Sequence, residues 1–171
     1  KRKKDKKSSS ARLAHNNVKG DSIEKRPPEI NERNEVGHWE MDLVVGAKGG
    51  KKVLLVLTER KTRYEYIVLL KDKSQKSVIQ ALNKMERQYG ARLFRETFKS
   101  ITCDNGSEFL DSQSLEKSLF NKTNRTKLYY AHPFSSFERG SNENANRFIR
   151  RILPKKTTFD TLTQNDINSM A

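Results

Sequence analysis

From residue 37 onward, the hydrophobic positions of the chain follow the periods of regular secondary structure. In "WEMDLVVG", apolar residues at Trp39, Met41, Leu43 and Val45 alternate with other residues, as in a strand with one buried face. The segments "KKVLLVLTER" and "YEYIVLL" are rich in branched aliphatic and aromatic residues, which favours two more strands. The turn signal "AKGG" joins the first two strands, so the pattern predicts a three-stranded antiparallel meander.

The second half of the chain alternates between helical and strand patterns. "SQKSVIQALNKMERQY" spaces its apolar residues by three and four, with Ser74 as the predicted N-cap and Gly90 as the predicted stop. "KSITCD" and "KLYYA" are short strand patterns, with a weaker helix predicted near residues 110–120 between them. "SNENANRFIRRIL" predicts a helix that ends before Pro154. Together these elements predict an α/β fold in which a five-stranded mixed sheet is flanked by helices.

Three segments follow from this pattern. Residues 1–36 are predicted to be a basic, largely flexible arm and linker, residues 37–160 a folded core, and residues 161–171 the start of a truncated C-terminal helix. Six of the first seven residues are Lys or Arg, which suits either an arm that touches DNA or a solvated linker. Because the sequence begins without Met and stops inside a helical pattern, we expect it to be a fragment of a longer reading frame.

Composition narrows the class of partner. The chain has 35 Lys and Arg against 21 Asp and Glu, a formal net charge of +14, which favours a polyanionic partner such as nucleic acid. Its apolar runs are far shorter than the roughly 20 residues of a membrane span. A single cysteine, Cys103, excludes an intrachain disulfide, and with three scattered histidines it also argues against a zinc finger. We interpret Cys103 as a small strand residue.

Two aspartates lie at positions where a carboxylate can either bind a ligand or stabilise the local structure. Asp42 lies inside the first strand, where burial of a carboxylate costs free energy unless it is paired or bound to a metal. Asp104 follows the fourth strand, and ligand groups gather at such strand ends in α/β sheets. The structural alternatives are a salt bridge for Asp42 and a turn cap for Asp104, and either aspartate alone favours them.

A third acid, Glu143, lies on the helix that ends before Pro154. Helical geometry divides this helix into two faces. The apolar face, expected to pack on the sheet, carries Ala145, Phe148, Ile149 and Ile152. The opposite face carries Glu143, Asn146, Arg147 and Arg150. Its arginines could hold phosphates while the carboxylate holds a metal, although a solvated helix face would look similar.

Three carboxylates from two strands and one helix suit hard cations such as Mg²⁺, which take oxygen ligands. Two such ions can activate an attacking oxygen and stabilise the leaving oxygen of a phosphodiester. No nucleophilic side chain is then required, which fits a sequence in which no Ser-His-Asp or Cys-His arrangement can be picked out. Glu40 and Glu108 are further acids near the motifs, for which we predict salt-bridge or solvent roles.

The blocks "GHWEMDLVVG", "ITCDNGSEF" and "YYAHPFSSFERGSNENANRFIRRILPK" together resemble the DDE transposases of the insertion-sequence-thirty type and, more distantly, retroviral integrase cores. The resemblance implies an RNase H-like fold and Mg²⁺-dependent DNA cleavage and strand transfer. It implies Asp42, Asp104 and Glu143 as the catalytic and metal-binding residues, with two Mg²⁺ ions for which Mn²⁺ can substitute. The implied motif support is Trp39, Asn105, Gly106, Gly140 and Asn142. The expected DNA contacts are Arg139, Asn146, Arg147, Arg150 and Arg151.

The resemblance also implies partners. These are DNA, as element ends and target, and further copies of the protein in a dimer or larger assembly on DNA. The expected location is the bacterial cytoplasm with the nucleoid, without a membrane role. The helix-turn-helix region usual in this family is not found in the sequence, so we expect end recognition to lie outside it.

Two other functions stay open at this point. One is an inactive DNA-binding fragment or regulator derived from a transposase, which the net charge of +14 also suits. The other is an RNase H-like nuclease that cleaves nucleic acid without joining the freed end to a target. Cleavage and joining are the observations that separate the three.

Overall fold

The computed structural model describes residues 20–133, 135, 138 and 140–170. Its centre is a mixed sheet of six strands, in the order β1-β6-β5-β2-β3-β4. The strands are β1 (Asp21–Ser22), β2 (His38–Val45), β3 (Val53–Glu59), β4 (Glu65–Leu70), β5 (Ser100–Cys103) and β6 (Lys127–Tyr130). The predicted meander is confirmed, because β3 pairs antiparallel with both β2 and β4. The β2–β5, β5–β6 and β1–β6 pairs are parallel.

The prediction of five strands is wrong by one. The additional strand, β1, is two residues long and pairs with the end of β6. A segment this short carries no readable period, so its pairing is set by tertiary contacts. It belongs to residues 20–36, which we assigned to the flexible arm but which also contain a 3₁₀ turn at Ile23–Lys25 and helix α1 (Glu29–Glu32). The remaining arm, residues 1–19, lies outside the described residues.

The longer helices cover both faces of the sheet. They are α2 (Gln75–Tyr89), α3 (Ala91–Thr97) and α5 (Gly140–Ile152), with shorter helices α4 (Ser112–Glu116) and α6 (Gln164–Asn168). The Ser74 side chain accepts a hydrogen bond from the backbone of Ser77, which confirms the predicted N-cap of α2. Gly90 ends α2 at a φ of 76°, a value that costs glycine little. Helix α3 begins immediately after it and was not predicted.

Strand β3 lies between β2 and β4 and is buried on both faces. All seven of its residues are buried, which agrees with the continuous apolar run of its first five residues, Val53 to Leu57. On one face Leu55 and Leu57 join the core beneath α2 and α3, and on the other Leu54 and Val56 join the core beneath α5. Burying each of these side chains stabilises the fold by about 1.5–3 kcal/mol, so the sheet is a rigid base for what lies at its edge.

The edge strand β4 is covered in part by one side chain of α6. The Gln164 amide donates from Nε2 to the carbonyl of Ile67 at 2.9 Å and accepts from the backbone N–H of Leu69 at 2.8 Å. These are the two bonds that a neighbouring strand would make at that position. In the part of the chain that the structure describes, no helix is long and apolar enough to cross a membrane.

The polar stretch 111–126 is fixed to α2 by a buried ion pair. Arg125 and Glu86 have fully buried side chains, and Arg125 Nη1 lies 3.3 Å from Glu86 Oε2. Arg125 also donates from Nε to the carbonyl of Leu115 at 2.9 Å, and the same Glu86 oxygen accepts from the backbone of Leu119 at 3.0 Å. The long connection between β5 and β6 is therefore an ordered part of the core.

Replacing Arg125 with methionine should lower the free energy of unfolding by about 3–5 kcal/mol, because it leaves the Glu86 carboxylate buried without its cation. Urea denaturation measures the change. The matched control is Arg92→Met, which removes an exposed arginine that pairs with Glu96 at 3.7 Å and should cost less than about 1 kcal/mol. Equal losses for the two variants would contradict the structural role of the buried pair.

Candidate active site

Parallel pairing of β2 with β5 places two aspartates side by side. Glu40 is the register partner of Thr102, and two residues further along each chain come Asp42 and Asp104. Neighbouring strands lie about 4.8 Å apart, and side chains two residues apart share a face. The carboxylates of Asp42 and Asp104 are therefore neighbours at the end of β5, on the face of the sheet that α5 covers.

Both aspartates also take part in local hydrogen bonds. Asp42 Oδ1 accepts from the backbone N–H of Leu43 at 2.9 Å, and its Oδ2 accepts from Asn146 Nδ2 at 2.7 Å. Asp104 Oδ1 accepts from the backbone N–H of Gly106 at 2.9 Å. One of its two carboxylate oxygens therefore caps the turn, which was the structural alternative for Asp104. A Cβ at Gly106 would lie 2.9 Å from that oxygen and 2.8 Å from Glu108 Cδ, so a larger residue here would have to displace these two side chains.

Helix α5 runs along β2 and contacts it at three levels. The backbone N–H of Asn142 donates to Glu40 Oε2 at 3.0 Å, and Asn146 reaches Asp42 as described. Arg150 Nη2 donates to the carbonyl of Val45 at 2.6 Å. Four helical residues rise about 6 Å, close to the roughly 6.6 Å that two strand residues span. The helix and the strand therefore run in the same direction and keep step from Glu40 to Asp42.

Glu143 lies in the first turn of α5, three residues before Asn146 and so on a neighbouring part of the same helix surface. Its side chain is exposed. Among the described residues, no three Asp, Glu, His or Cys side chains are gathered closely enough to hold a metal ion. The structure brings Asp42 and Asp104 together and places Glu143 on the helix that contacts Asp42, without a closed cluster of all three.

The predicted division of α5 into two faces is wrong in part. Ala145 and Ile149 are buried against the sheet as expected, but Phe148 is 51% exposed and Ile152 42% exposed. The face centred on Asn146 instead turns partly toward β2, because its amide bonds a carboxylate there. Apolar periodicity locates a buried face from residue type, and it misplaces that face where polar side chains are buried with functional groups.

The predicted DNA contacts fall into different environments. Arg147 and Arg151 are exposed on α5 and remain candidates for phosphate binding. Asn146 and Arg150 bond β2, so they hold the helix as well. Arg139 lies outside the described residues.

The motif residues mainly shape the surroundings of the aspartates. Trp39 is buried, stacks near Phe98 and donates from Nε1 to a backbone carbonyl at 2.7 Å. Asn105 Nδ2 donates to the carbonyl of Ala131 at 2.8 Å, which ties the ends of β5 and β6 together. Gly140 is the first residue of α5, and Asn142 is buried beside Glu40. Cys103 is a buried strand residue, as interpreted from the sequence.

Sequence reasoning underestimated Glu40. Its side chain is fully buried and forms an ion pair with Arg60 at 2.6 Å, which agrees with the predicted salt-bridge role, as does the Glu108 pair with Lys73 at 3.4 Å. The contact of Glu40 with the α5 backbone was not anticipated. The signal available in the sequence was its spacing of two from Asp42, which puts both carboxylates on one face of the strand.

The side-chain atoms around Asp42 and Asp104 that could bind a metal suit a hard cation. The carboxylates of Asp42 and Asp104 offer oxygen ligands, and so does Asn146, whose amide bonds Asp42 and whose Oδ1 is buried without a hydrogen-bond partner among the described residues. Carboxylate and amide oxygens are the ligands that Mg²⁺ takes in proteins, whereas sulfur and imidazole favour zinc or copper. The residues present therefore suit Mg²⁺ or Mn²⁺.

Comparison with known proteins gives the family. Residues 32–136 match the family model described as the integrase core domain. The chain belongs to this integrase core family. It is 41% identical over 147 residues to a probable transposase for insertion-like sequence element IS1161 of Streptococcus salivarius, and 38% identical over 156 residues to transposase InsI for insertion sequence element IS30A of Escherichia coli K12. These alignments cover 85% and 91% of the chain.

The chain spans about two fifths of the length of these relatives, 39% and 38%. Among solved structures, the catalytic core domain of BIV integrase superposes with a TM-score of 0.50 and 18% identity, covering 67% of each chain. A chain of a simian T-cell lymphotropic virus intasome superposes with a TM-score of 0.57 and 17% identity, covering 78% of this chain and 46% of that one. The predicted RNase H-like fold of retroviral integrase cores is thereby confirmed.

Within this integrase core, a histidine links the N-terminal segment to the connection that leads into α5. His132 Nδ1 lies 2.8 Å from Glu138 Oε1, and its Nε2 lies 3.2 Å from Glu24 Oε1. The bond to Glu138 raises the pKa of the His132 imidazole. Burial alone would raise the pKa of the Glu138 carboxyl, but bonds from the His132 side chain and backbone outweigh it and lower that pKa.

The His132 contact should make stability depend on pH. Because the folded-state pKa is raised, the contact stabilises fully below the unfolded pKa of about 6.5 and is lost as pH rises through the folded value. The melting temperature of the wild-type chain should therefore exceed that of His132→Gln near pH 6 and approach it near pH 9. Glu96→Gln, an exposed acid on α3, is the control and should show no such convergence. A constant difference at every pH would refute the assignment.

Proposed function

We propose that the chain is the catalytic core of a transposase that cleaves DNA and transfers the cut strand in the presence of Mg²⁺. The observation that carries the proposal is the register of β2 with β5, which sets Asp42 beside Asp104 under the helix that carries Glu143. Family membership and the identities of 38% and 41% to named transposases support the same reaction.

Asp42, Asp104 and Glu143 are the proposed ligands of two Mg²⁺ ions, with Mn²⁺ able to substitute. When bound, such ions lower the pKa of coordinated water and stabilise negative charge on the attacking and leaving oxygens of a phosphodiester. The protein's own part is to hold its carboxylates in fixed positions. Asn146 orients the Asp42 carboxylate through Oδ2, and Gly106 orients that of Asp104 through Oδ1.

The exposed arginines of α5 are proposed to bind the DNA backbone near these carboxylates. Arg147 and Arg151 follow Glu143 by one and two helical turns, and their guanidinium groups can bind phosphate through paired hydrogen bonds. Such contacts position DNA without reading its sequence. The net charge of +14 supports the same partner.

The whole-protein assembly is part of the proposal. Strand transfer joins element ends to a target, so we propose that two or more copies act together on DNA. One structural neighbour is described as an intasome in complex with a regulatory subunit. Its similarity in fold to this chain is consistent with the proposed assembly.

Asp42→Asn, Asp104→Asn and Glu143→Gln should each reduce the Mg²⁺-dependent cleavage of duplex DNA. The loss should exceed the roughly 10–100-fold that removal of an outer-shell partner causes, because each change removes a proposed ligand. Gel assays of cleavage and joining, with circular dichroism as a check on folding, measure it. Glu96→Gln is the matched control for Glu143→Gln, since both are exposed helical glutamates.

The outcomes separate the candidate functions. Cleavage and joining by the wild type, lost in all three variants, support the transposase. Salt-sensitive DNA binding without cleavage would contradict the transposase assignment and indicate an inactive DNA-binding protein. Cleavage without joining would contradict it and indicate a nuclease. Full activity of Asp42→Asn would refute the proposed ligand set.

A further inference from the structure

We infer that Glu40 is a positioning residue for the helix that carries Glu143, an assignment that rests on the proposed function. Glu40 lies two residues before Asp42 on the same face of β2, and its carboxylate is fully buried. It does not adjoin substrate in this role. It acts on the reaction through α5, by setting where Glu143 stands relative to the two aspartates.

The carboxylate of Glu40 divides its two oxygens between a cation and the helix. Oε1 accepts from Arg60 Nη1 at 2.6 Å, and Oε2 accepts from the backbone N–H of Asn142 at 3.0 Å. The N–H groups of the first helical turn have no partner within the helix, and the positive end of the helix favours a carboxylate there. Glu40 therefore supplies from the sheet a cap that helices commonly take from their own chain.

The cap fixes the residue next to Glu143. Asn142 immediately precedes Glu143, so a bond to its N–H sets both the height of the first turn and its rotation about the helix axis. A second bond supports the same turn: Arg63, from the connection between β3 and β4, donates from Nη1 to the hydroxyl of Ser141. With Asn146 bonded to Asp42 one turn later, α5 has little freedom to slide along β2.

Fold stability alone does not explain a buried ion pair at this place. Arg60 is 4% exposed and Glu40 0%, and exchanging such a pair for apolar residues of similar volume is often neutral or stabilising. Residue 44, two positions beyond Asp42 on the same face, is a valine that packs in the apolar core beneath α5. What an apolar residue at position 40 could not supply is a directed hydrogen bond to the helix terminus.

The molecule contains a matched control for this inference. Glu86 and Arg125 form a second fully buried ion pair, at 3.3 Å, between α2 and the stretch 111–126. Among the described residues, the hydrogen bonds of that pair go to α2, α4 and the connection after α4, and none goes to α5. The double variant Glu86→Leu/Arg125→Leu removes the same chemical groups without touching the proposed positioning contact.

The test compares Glu40→Leu/Arg60→Leu with the control double variant by two readouts. Mn²⁺ binding, titrated by the electron paramagnetic resonance of free Mn²⁺, should weaken at least tenfold in the Glu40 double variant and stay unchanged in the control. The rate of DNA cleavage at saturating Mn²⁺ should fall by about 10–100-fold only in the former, the range for loss of an outer-shell partner.

A conservative variant guards against misfolding of the double variant. Glu40→Asp keeps the charge for Arg60 but withdraws the carboxylate from Asn142 by one methylene, so Mn²⁺ affinity should fall severalfold while the far-ultraviolet spectrum is retained. Wild-type Mn²⁺ affinity in Glu40→Asp, or an equal loss in Glu86→Leu/Arg125→Leu, would overturn the inference. Absence of Mn²⁺ binding and cleavage in the wild type would instead refute the proposed function.

Discussion

The parallel hydrogen bonds between β2 and β5 set the separation of Asp42 and Asp104, because Asp42 lies within β2 and Asp104 directly follows β5. A shift of one residue would move every side chain of a strand to the opposite face of the sheet. That shift is opposed by the core on both faces, where Met41 packs under α2 and Val44 packs under α5. The hydrophobic pattern of β2 therefore protects the geometry of two polar side chains that contribute nothing to that core.

Helix α5 is positioned on the sheet by apolar contacts together with directed hydrogen bonds. Apolar contacts at Ala145 and Ile149 hold α5 down, but such contacts are non-directional and tolerate sliding. Hydrogen bonds from Asn142 to Glu40 and from Asn146 to Asp42 add direction, and they match the rise of the helix to that of the strand. The site thus combines a core that supplies stability with a few buried polar bonds that supply placement.

The sequence predicted much of this arrangement and missed specific parts for physical reasons. Strand β2, the N-cap Ser74 and the stop at Gly90 were predicted from local signals, and the structure confirms each. The expectation that β2 has a single buried face is wrong, because Glu40 and Val44 are buried on its other face and Val45 is exposed. Strand β1 was missed because two residues carry no period, and its pairing depends on β6. The rotation of α5 was misjudged because buried Asn142 and half-buried Asn146 carry polar side chains on its packed side, and the cap from Glu40 joins residues 102 positions apart.

The hydrogen bonds of the Gln164 amide affect how the edge strand β4 can pair with a second copy of the protein. Exposed edge strands invite pairing with a strand of another molecule, and an apolar strand such as β4 is a template for such association. By bonding the carbonyl of Ile67 and the N–H of Leu69, Gln164 occupies the groups that an incoming strand would need. In the proposed assembly of several copies on DNA, these two bonds would disfavour pairing of β4 with a strand of another copy at this position.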